Sequence, residues 1–415
     1  MVQELLDLIN HSHSQFHVIK NIKDILDNNG FEKLEENKKW KIENNKKYYV
    51  TRNDSSIIAF EVPTDLKGYN IVSSHSDSPT FKIKENPEMK TNDYYVRLNT
   101  ETYGGLIMST WFDKPLSFAG RVVYEDGDSY KCELIDYDKN SLIIPSVAIH
   151  MNREANNGMK YNPQIDTIPL FTSDPKVSLK DVIKKYLNID KEILSSDLFL
   201  YNRQEGSIWG LNNEFISAGR LDDLECAYSS IKALVDSDLS NNMVCIFDNE
   251  EVGSLTKQGA DSTLLEDTLK RINESLGGSY EDYLMLVSNS FNISADNAHA
   301  IHSNHPELAD PINQPVLNKG IVIKYHGGQK YTSDAISAAK FKMLCKKANV
   351  PYQEFTNRSD KVGGSTLGNL SNAHVSLSSV DIGLAQLAMH SSYETAGSKD
   401  VEYLIKVLKE YFKKS

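Results

Sequence analysis

The chain opens on a helical pattern. Leu5, Leu6 and Ile9 fall on one face, and Phe16 to Asn28 continues it with Ile19, Ile22, Ile25 and Leu26. Spacings of three and four mark an amphipathic helix, and Asn28-Asn29-Gly30 supplies its stop. Short runs rich in branched and aromatic residues then predict strands at Lys47–Thr51, Ser56–Val62 and Tyr69–Ser74. From about residue 90 to about residue 200 the pattern becomes antiparallel β: Tyr94–Leu98, Gly120–Tyr124 and Tyr130–Ile135, with a turn at Glu125-Asp126-Gly127-Asp128. Helical spacing is scarce there until Val182–Leu187. Beyond about residue 205 the two periods alternate. Met243–Phe247, Tyr283–Ser288, Gly320–Tyr325 and Val375–Val380 read as strands; Leu224–Val235, Leu264–Glu274, Ser333–Ala348 and Val401–Tyr411 read as helices. That alternation predicts an α/β fold, a mixed sheet flanked by helices, interrupted by a β-rich insertion. The expected divisions are 1–88, 89–202 and 203–415, the outer two forming one domain.

Composition narrows the partners. The 415 residues carry 45 Lys+Arg against 57 Asp+Glu, a formal net charge of −12. A nucleic-acid binder normally presents a basic face, so none is expected as a partner. Cys132, Cys226, Cys245 and Cys345 form no CxxC pair, which leaves no disulfide framework and no thiolate metal site. The chain has no run of 18 apolar residues, and MVQELLDLIN lacks the basic start of a signal peptide. A cytoplasmic protein without membrane attachment is the expectation.

Candidate chemistry gathers after the predicted strands. Asp248, Glu250 and Glu251 follow the apolar run Met243–Phe247. Ligands of α/β folds bind beyond the carboxyl ends of strands, and carboxylates packed this closely repel unless a cation neutralises them. One Glu could bind metal while the other serves as general base. Ser74-His75-Ser76-Asp77 follows another strand, where Asp77 could fix the ring of a ligating His75. Asp222 and Asp223 precede a helix, Asp296 lies downstream of Tyr283–Ser288, and His390 follows Val375–Val380. Each has a plainer reading: a solvated acidic turn, a surface turn, a helix N-cap. Neighbouring His299, His302 and His305 read as structural or exposed. Taken together, two imidazoles with hard oxygen donors and no thiolate suit Zn²⁺, Mn²⁺ or Co²⁺. Five ligands exceed the needs of one catalytic zinc and suffice for two metals if one Asp bridges them.

The order of these blocks resembles the aspartyl aminopeptidase family of dinuclear zinc aminopeptidases, which includes vacuolar aminopeptidases. The likeness runs through His75-Ser76-Asp77-Ser78-Pro79, Gly104-Gly105, Trp111-Phe112-Asp113-Lys114-Pro115-Leu116 and Ala148-Ile149-His150. It continues through Arg220-Leu221-Asp222-Asp223, Asn249-Glu250-Glu251-Val252-Gly253-Ser254, Ser294-Ala295-Asp296, Gly364-Ser365-Thr366, Asp381-Ile382-Gly383 and Met389-His390-Ser391. The resemblance implies that His75 and Asp296 bind one zinc, Glu251 and His390 a second, and Asp222 bridges them. Cobalt or manganese could substitute. Glu250 would be the general base and Asp77 would orient His75. The insertion would be a dimerisation domain, with dimers assembling into a tetrahedral dodecamer, and His150 would reach a neighbouring subunit's site. The implied substrates are peptides with a free N-terminus. Lys324 is a plausible cation for a substrate carboxylate, which leans the expectation toward acidic N-terminal residues. Asp223 and Asn249 depart from common family residues, as does Lys114, and none of them removes a ligand.

Overall fold

The computed structural model describes residues 1–413; positions 414–415 of the last expected segment lie outside it. A nine-stranded mixed sheet forms the centre. From edge to edge its strands are Glu32–Leu34, Lys46–Arg52, Ser56–Val62, Asn242–Phe247, Asn70–His75, Phe291–Ala295, Ser378–Gly383, Ile321–Tyr325 and Tyr352–Thr356. The middle four, from Asn242–Phe247 to Ser378–Gly383, are mutually parallel. Strands covered on both faces read as continuous apolar runs, and every residue of Ser56–Val62 and Asn242–Phe247 is buried. Alternate side chains serve opposite faces. Ile57 and Ala59 pack with helices Val2–Asn10, Gln15–Asn28, Leu221–Val235, Ala335–Ala348 and Asp400–Tyr411. Ile58 and Phe60 pack with Leu264–Ser275, Tyr280–Ser288 and Leu367–His374.

A six-stranded antiparallel sheet stands apart from this core. Its order is Ser129–Asp136, Leu116–Asp126, Ile193–Asn202, Thr80–Thr91, Tyr95–Tyr103 and Leu170–Thr172. It has its own apolar cluster, including Phe81, Phe118 and Leu198, covered by helix Leu179–Leu187 through Leu179 and Ile183. Strand Thr80–Thr91 crosses the expected division at residue 89. A small third sheet links Phe215–Ala218 to Glu394–Gly397 and Ala385–Leu387.

Several expectations shift. Tyr283–Ser288 is not a strand; it is the end of helix Tyr280–Ser288, started by a capping box of Ser279 and Asp282. Only Tyr283 and Leu286 of that helix are buried, a spacing of three, whereas a short apolar run alone does not separate strand from helix. The strand comes later, at Phe291–Ala295. Val375–Val380 straddles a boundary: helix Leu367–His374 ends before it and strand Ser378–Gly383 runs past it. The N-terminal pattern divides into two helices, broken between Asn10 and Gln15.

Candidate metal centre

Parallel strands deliver their carboxyl ends to one edge of the sheet. His75 closes Asn70–His75, and its partner in register is Phe247, after which the chain turns into Asp248–Glu251. Asp296 directly follows Phe291–Ala295 on the other side of the His75 strand. Ser378–Gly383 leads through Ala385–Leu387 to His390. Asp222 arrives from the third sheet, at the start of helix Leu221–Val235 after Phe215–Ala218. The fold therefore brings His75, Asp77, Asp222, Glu250, Glu251, Asp296 and His390 to one crevice outside the strand ends, where such sheets bind ligands.

Two sets of donor atoms meet at Asp222. His75 Nε2 lies 3.4 Å from Asp222 Oδ1 and 3.7 Å from Asp296 Oδ1. His390 Nε2 lies 3.5 Å from Asp222 Oδ2 and 3.4 Å from Glu251 Oε2. Atoms held about 2.0–2.2 Å from one tetrahedral zinc are separated by roughly 3.3–3.6 Å. Asp222 thus faces a different histidine with each oxygen. The ring nitrogens behind are occupied: His75 Nδ1 is 3.0 Å from the Asp77 carbonyl and His390 Nδ1 is 2.8 Å from the Gly105 carbonyl. A carbonyl only accepts, so both Nδ1 atoms carry a proton and the neutral form of each ring would turn its Nε2 lone pair into the cluster.

The charges fit a cation. Burial, followed by the charges of Asp222 and Glu250, pushes the Glu251 carboxyl well above its ordinary range. Glu250 is pushed up to about 8, first by burial and then by Asp296, Asp77 and Asp222, with His75 opposing. Burial disfavours a charged His75, but Asp222, Asp296 and Asp77 overcome it and raise that imidazole well above its usual value. Burial also works against ionised Asp222, which His390 and His75 nevertheless hold far below the carboxylate range. Among the described residues, buried Asp222 Oδ1, Glu251 Oε1 and Asp223 Oδ1 have no hydrogen-bond partner. Oxygen and imidazole donors with unspent lone pairs and mutual repulsion fit zinc.

Several supporting residues escaped the sequence reading. Asp223, set aside as a ligand, is fully buried, and its Oδ2 accepts the His75 N–H at 3.1 Å. It also forms a close acidic group with His75 and Asp296. Glu394 accepts the Asp222 N–H at 3.1 Å and the His390 N–H at 2.7 Å, gripping two ligand-bearing turns at once. Its only sequence signal is proximity to His390. Asp77 accepts the N–H groups of Glu250 and Glu251 at 3.1 and 3.2 Å. Lys324 is buried, with Nζ 3.3 Å from Asp296 Oδ2 and 2.9 Å from the Asn297 carbonyl. His150 lies exposed in a turn of the insertion, outside this cluster.

Fold and cluster together define an α/β protein whose strand ends carry a cluster fitted to divalent metal. Comparison with known proteins gives the family. The model of the aminopeptidase I zinc metalloprotease family (M18) matches residues 8–412. A probable M18 family aminopeptidase 2 of Clostridium novyi (strain NT) is 49% identical over 424 aligned residues, covering 99% of this chain and 98% of that one. The solved complex of Ape4 and Nbr1 superposes with a TM-score of 0.94 at 34% identity, over 99% of this chain and 85% of that one. The S. cerevisiae mApe1 dodecamer superposes with a TM-score of 0.87 at 27% identity, over 99% and 96%. The chain belongs to the M18 family: it is a zinc metallo-aminopeptidase, a hydrolase that acts as an exopeptidase.

Proposed function

We propose that the protein removes single residues from the N-terminus of peptides, with a leaning toward Asp or Glu, at a centre holding two zinc ions per subunit. His75, Asp222 and Asp296 would hold one ion and Asp222, Glu251 and His390 the other, with cobalt or manganese able to substitute. The observation that carries this reading is the division of Asp222: Oδ1 faces His75 at 3.4 Å and Oδ2 faces His390 at 3.5 Å. Zinc, when bound, supplies Lewis-acid polarisation of a carbonyl and acidifies water near neutral pH.

The chain's own groups do the rest. Glu250 takes the proton of the attacking water and delivers it to the leaving amine. A base is most effective when its pKa lies near the working pH, and burial of Glu250, which raises it above the ordinary carboxylate range, supports the role. Asp77 holds that carboxylate in place through the Glu250 N–H and orients His75 from behind. The ammonium of Lys324 has three protons, two of which are directed at Asp296 and Asn297. The third can meet a substrate carboxylate, which supports the acidic preference.

Residues 1–88 and 203–415 would then form the catalytic domain and 89–202 the dimerisation domain of a cytoplasmic homo-oligomer. The dodecameric state of the mApe1 relative supports a dodecamer here, for which a tetrahedral arrangement is the proposal. His150, exposed in the insertion, would complete the active site of a neighbouring subunit. Among the described residues no helix is long and apolar enough to cross a membrane. The test is Glu250→Gln, assayed on peptides bearing Asp, Glu, Leu or Lys at a free or acetylated N-terminus. It should retain zinc and lose turnover about 10²–10⁴-fold, the usual share of a general base. Turnover near the wild-type rate would remove Glu250 from the mechanism, and cleavage of acetylated peptides would remove the aminopeptidase reading of the site.

A further inference from the structure

One short strap joins the six-stranded sheet to the metal centre. It begins at the end of strand Tyr95–Tyr103 and runs into the turn Met108–Trp111. Three contacts are packed into its first residues. The Tyr103 hydroxyl donates to Asp77 Oδ2 at 2.7 Å. The Gly105 carbonyl faces His390 Nδ1 at 2.8 Å, and two residues on the Ile107 N–H donates to the His390 carbonyl at 2.9 Å. Between them Gly104 adopts φ +76°, and a Cβ there would stand 3.1 Å from Glu251 Cβ.

We propose that Tyr103 and Gly105 are positioning residues of the metal centre, so that the insertion fixes both His390 and the turn carrying Glu250 and Glu251. This rests on the reading of the cluster as the zinc site. Gly105 leaves His390 a single workable tautomer, with Nε2 free toward Asp222 and Glu251. Tyr103 acts through Asp77. That buried carboxylate receives the Glu250 N–H on Oδ1, and the Glu251 N–H and the tyrosine hydroxyl on Oδ2. The hydroxyl's direction is itself determined. Asn249 Nδ2 donates to Tyr103 Oη at 2.7 Å, while Asn249 Oδ1 accepts from Thr256 and Gln258, both at 2.8 Å. With that amide orientation set, the tyrosine proton is left for Asp77. Removing the hydroxyl would strip Asp77 of its shortest donor and Asn249 of its acceptor, in a buried place where neither is replaced.

The tyrosine ring has a separate task. It packs edge-on against Phe199 at 5.4 Å and clusters with Phe16. Ring and hydroxyl can therefore be tested apart, in the full-length protein, by zinc competition against a chromogenic chelator and by the visible spectrum of the cobalt-loaded form. Tyr103→Phe should fold and weaken zinc by up to about 10-fold, the lower end of what losing a direct partner of a metal ligand costs, and its cobalt spectrum should shift. Gly104→Ala, whose Cβ would stand 3.1 Å from Glu251 Cβ and 3.2 Å from the Glu251 carbonyl oxygen, should also weaken zinc by crowding Glu251. Phe199→Leu should melt earlier and bind zinc as tightly as the wild type. Wild-type affinity in Tyr103→Phe, or an equal loss in Phe199→Leu, would overturn the proposal while the zinc site stood. A wild-type protein whose zinc does not depend on Asp222 would instead remove the zinc-site reading beneath it.

Discussion

The strand-end cluster and the six-stranded sheet invert the ordinary distribution of side chains in opposite directions. At the cluster, acids and histidines are buried: His75 is 1% exposed and Asp222 3%. On the sheet and its loops, large apolar side chains face outward, with Tyr94 72% exposed, Tyr130 68%, Met151 82% and Ile165 67%. Buried charge costs stability unless something neutralises it, and contiguous exposed apolar surface marks a contact site. The first region thus calls for a cation, and the second is the face we propose for contact between subunits. The two are joined by a strap whose backbone bonds His390 through Gly105 and Ile107, which is the link on which the proposed positioning of His390 rests.

The largest expected effect comes from breaking the first region at its shared residue. Asp222→Ala removes the one carboxylate that faces both histidines. Zinc content, measured by elemental analysis, should fall sharply and hydrolysis should drop to background. Retention of the wild-type zinc content would show that Asp222 is not the common ligand. Next comes a break in the second region. Met151→Asp combined with Ile165→Asp places charge on exposed apolar surface without touching the core. Sedimentation should show smaller particles. Activity should fall as well, because the neighbour's His150 would be withdrawn, while zinc binding persists. Particles of unchanged size would mean that this face is not the contact.

The two regions also differed in how far they could be read from the chain. The candidate ligands were legible because a carboxylate or histidine placed directly after an apolar run is conspicuous, as in Met243–Glu251 and Tyr69–Asp77. Helices Leu264–Ser275 and Asp400–Tyr411 were legible because their apolar spacing is strong. Strand Thr80–Thr91 was not, since Lys84, Glu85, Asn86 and Pro87 interrupt it and its alternation breaks at an irregularity in the pairing. Phe291–Ala295 was hidden by the more apolar Tyr283–Val287 beside it, a helix in which only two residues turn inward. The roles of Asp223, Glu394 and Tyr103 were invisible for another reason. Their partners lie far off in sequence or act through backbone atoms, and no local pattern carries such contacts.

A smaller effect is expected at the seam between the regions, where helix Gln15–Asn28 meets the second sheet. Phe16 packs there with Tyr103 and Phe199, and His13 bonds Asp136. His17 is buried beside them, its Nδ1 2.8 Å from Ser14 Oγ. Burial lowers its pKa from 6.5 to about 4, with Asp136 opposing and His13 and Lys20 assisting. The folded state therefore favours the neutral ring. Its contribution is fully present above the unfolded value and is lost as the pH falls toward the folded one. Linkage puts the loss between about pH 7 and about pH 5 at up to about 2 kcal/mol. His17→Gln keeps an acceptor for Ser14 and cannot titrate. Urea denaturation at the two pH values should show a wild-type decrease that is smaller in the variant, where His13, also lowered by burial, still titrates. An equal decrease in both proteins would assign the acid sensitivity of the seam to His13 and Asp136 instead.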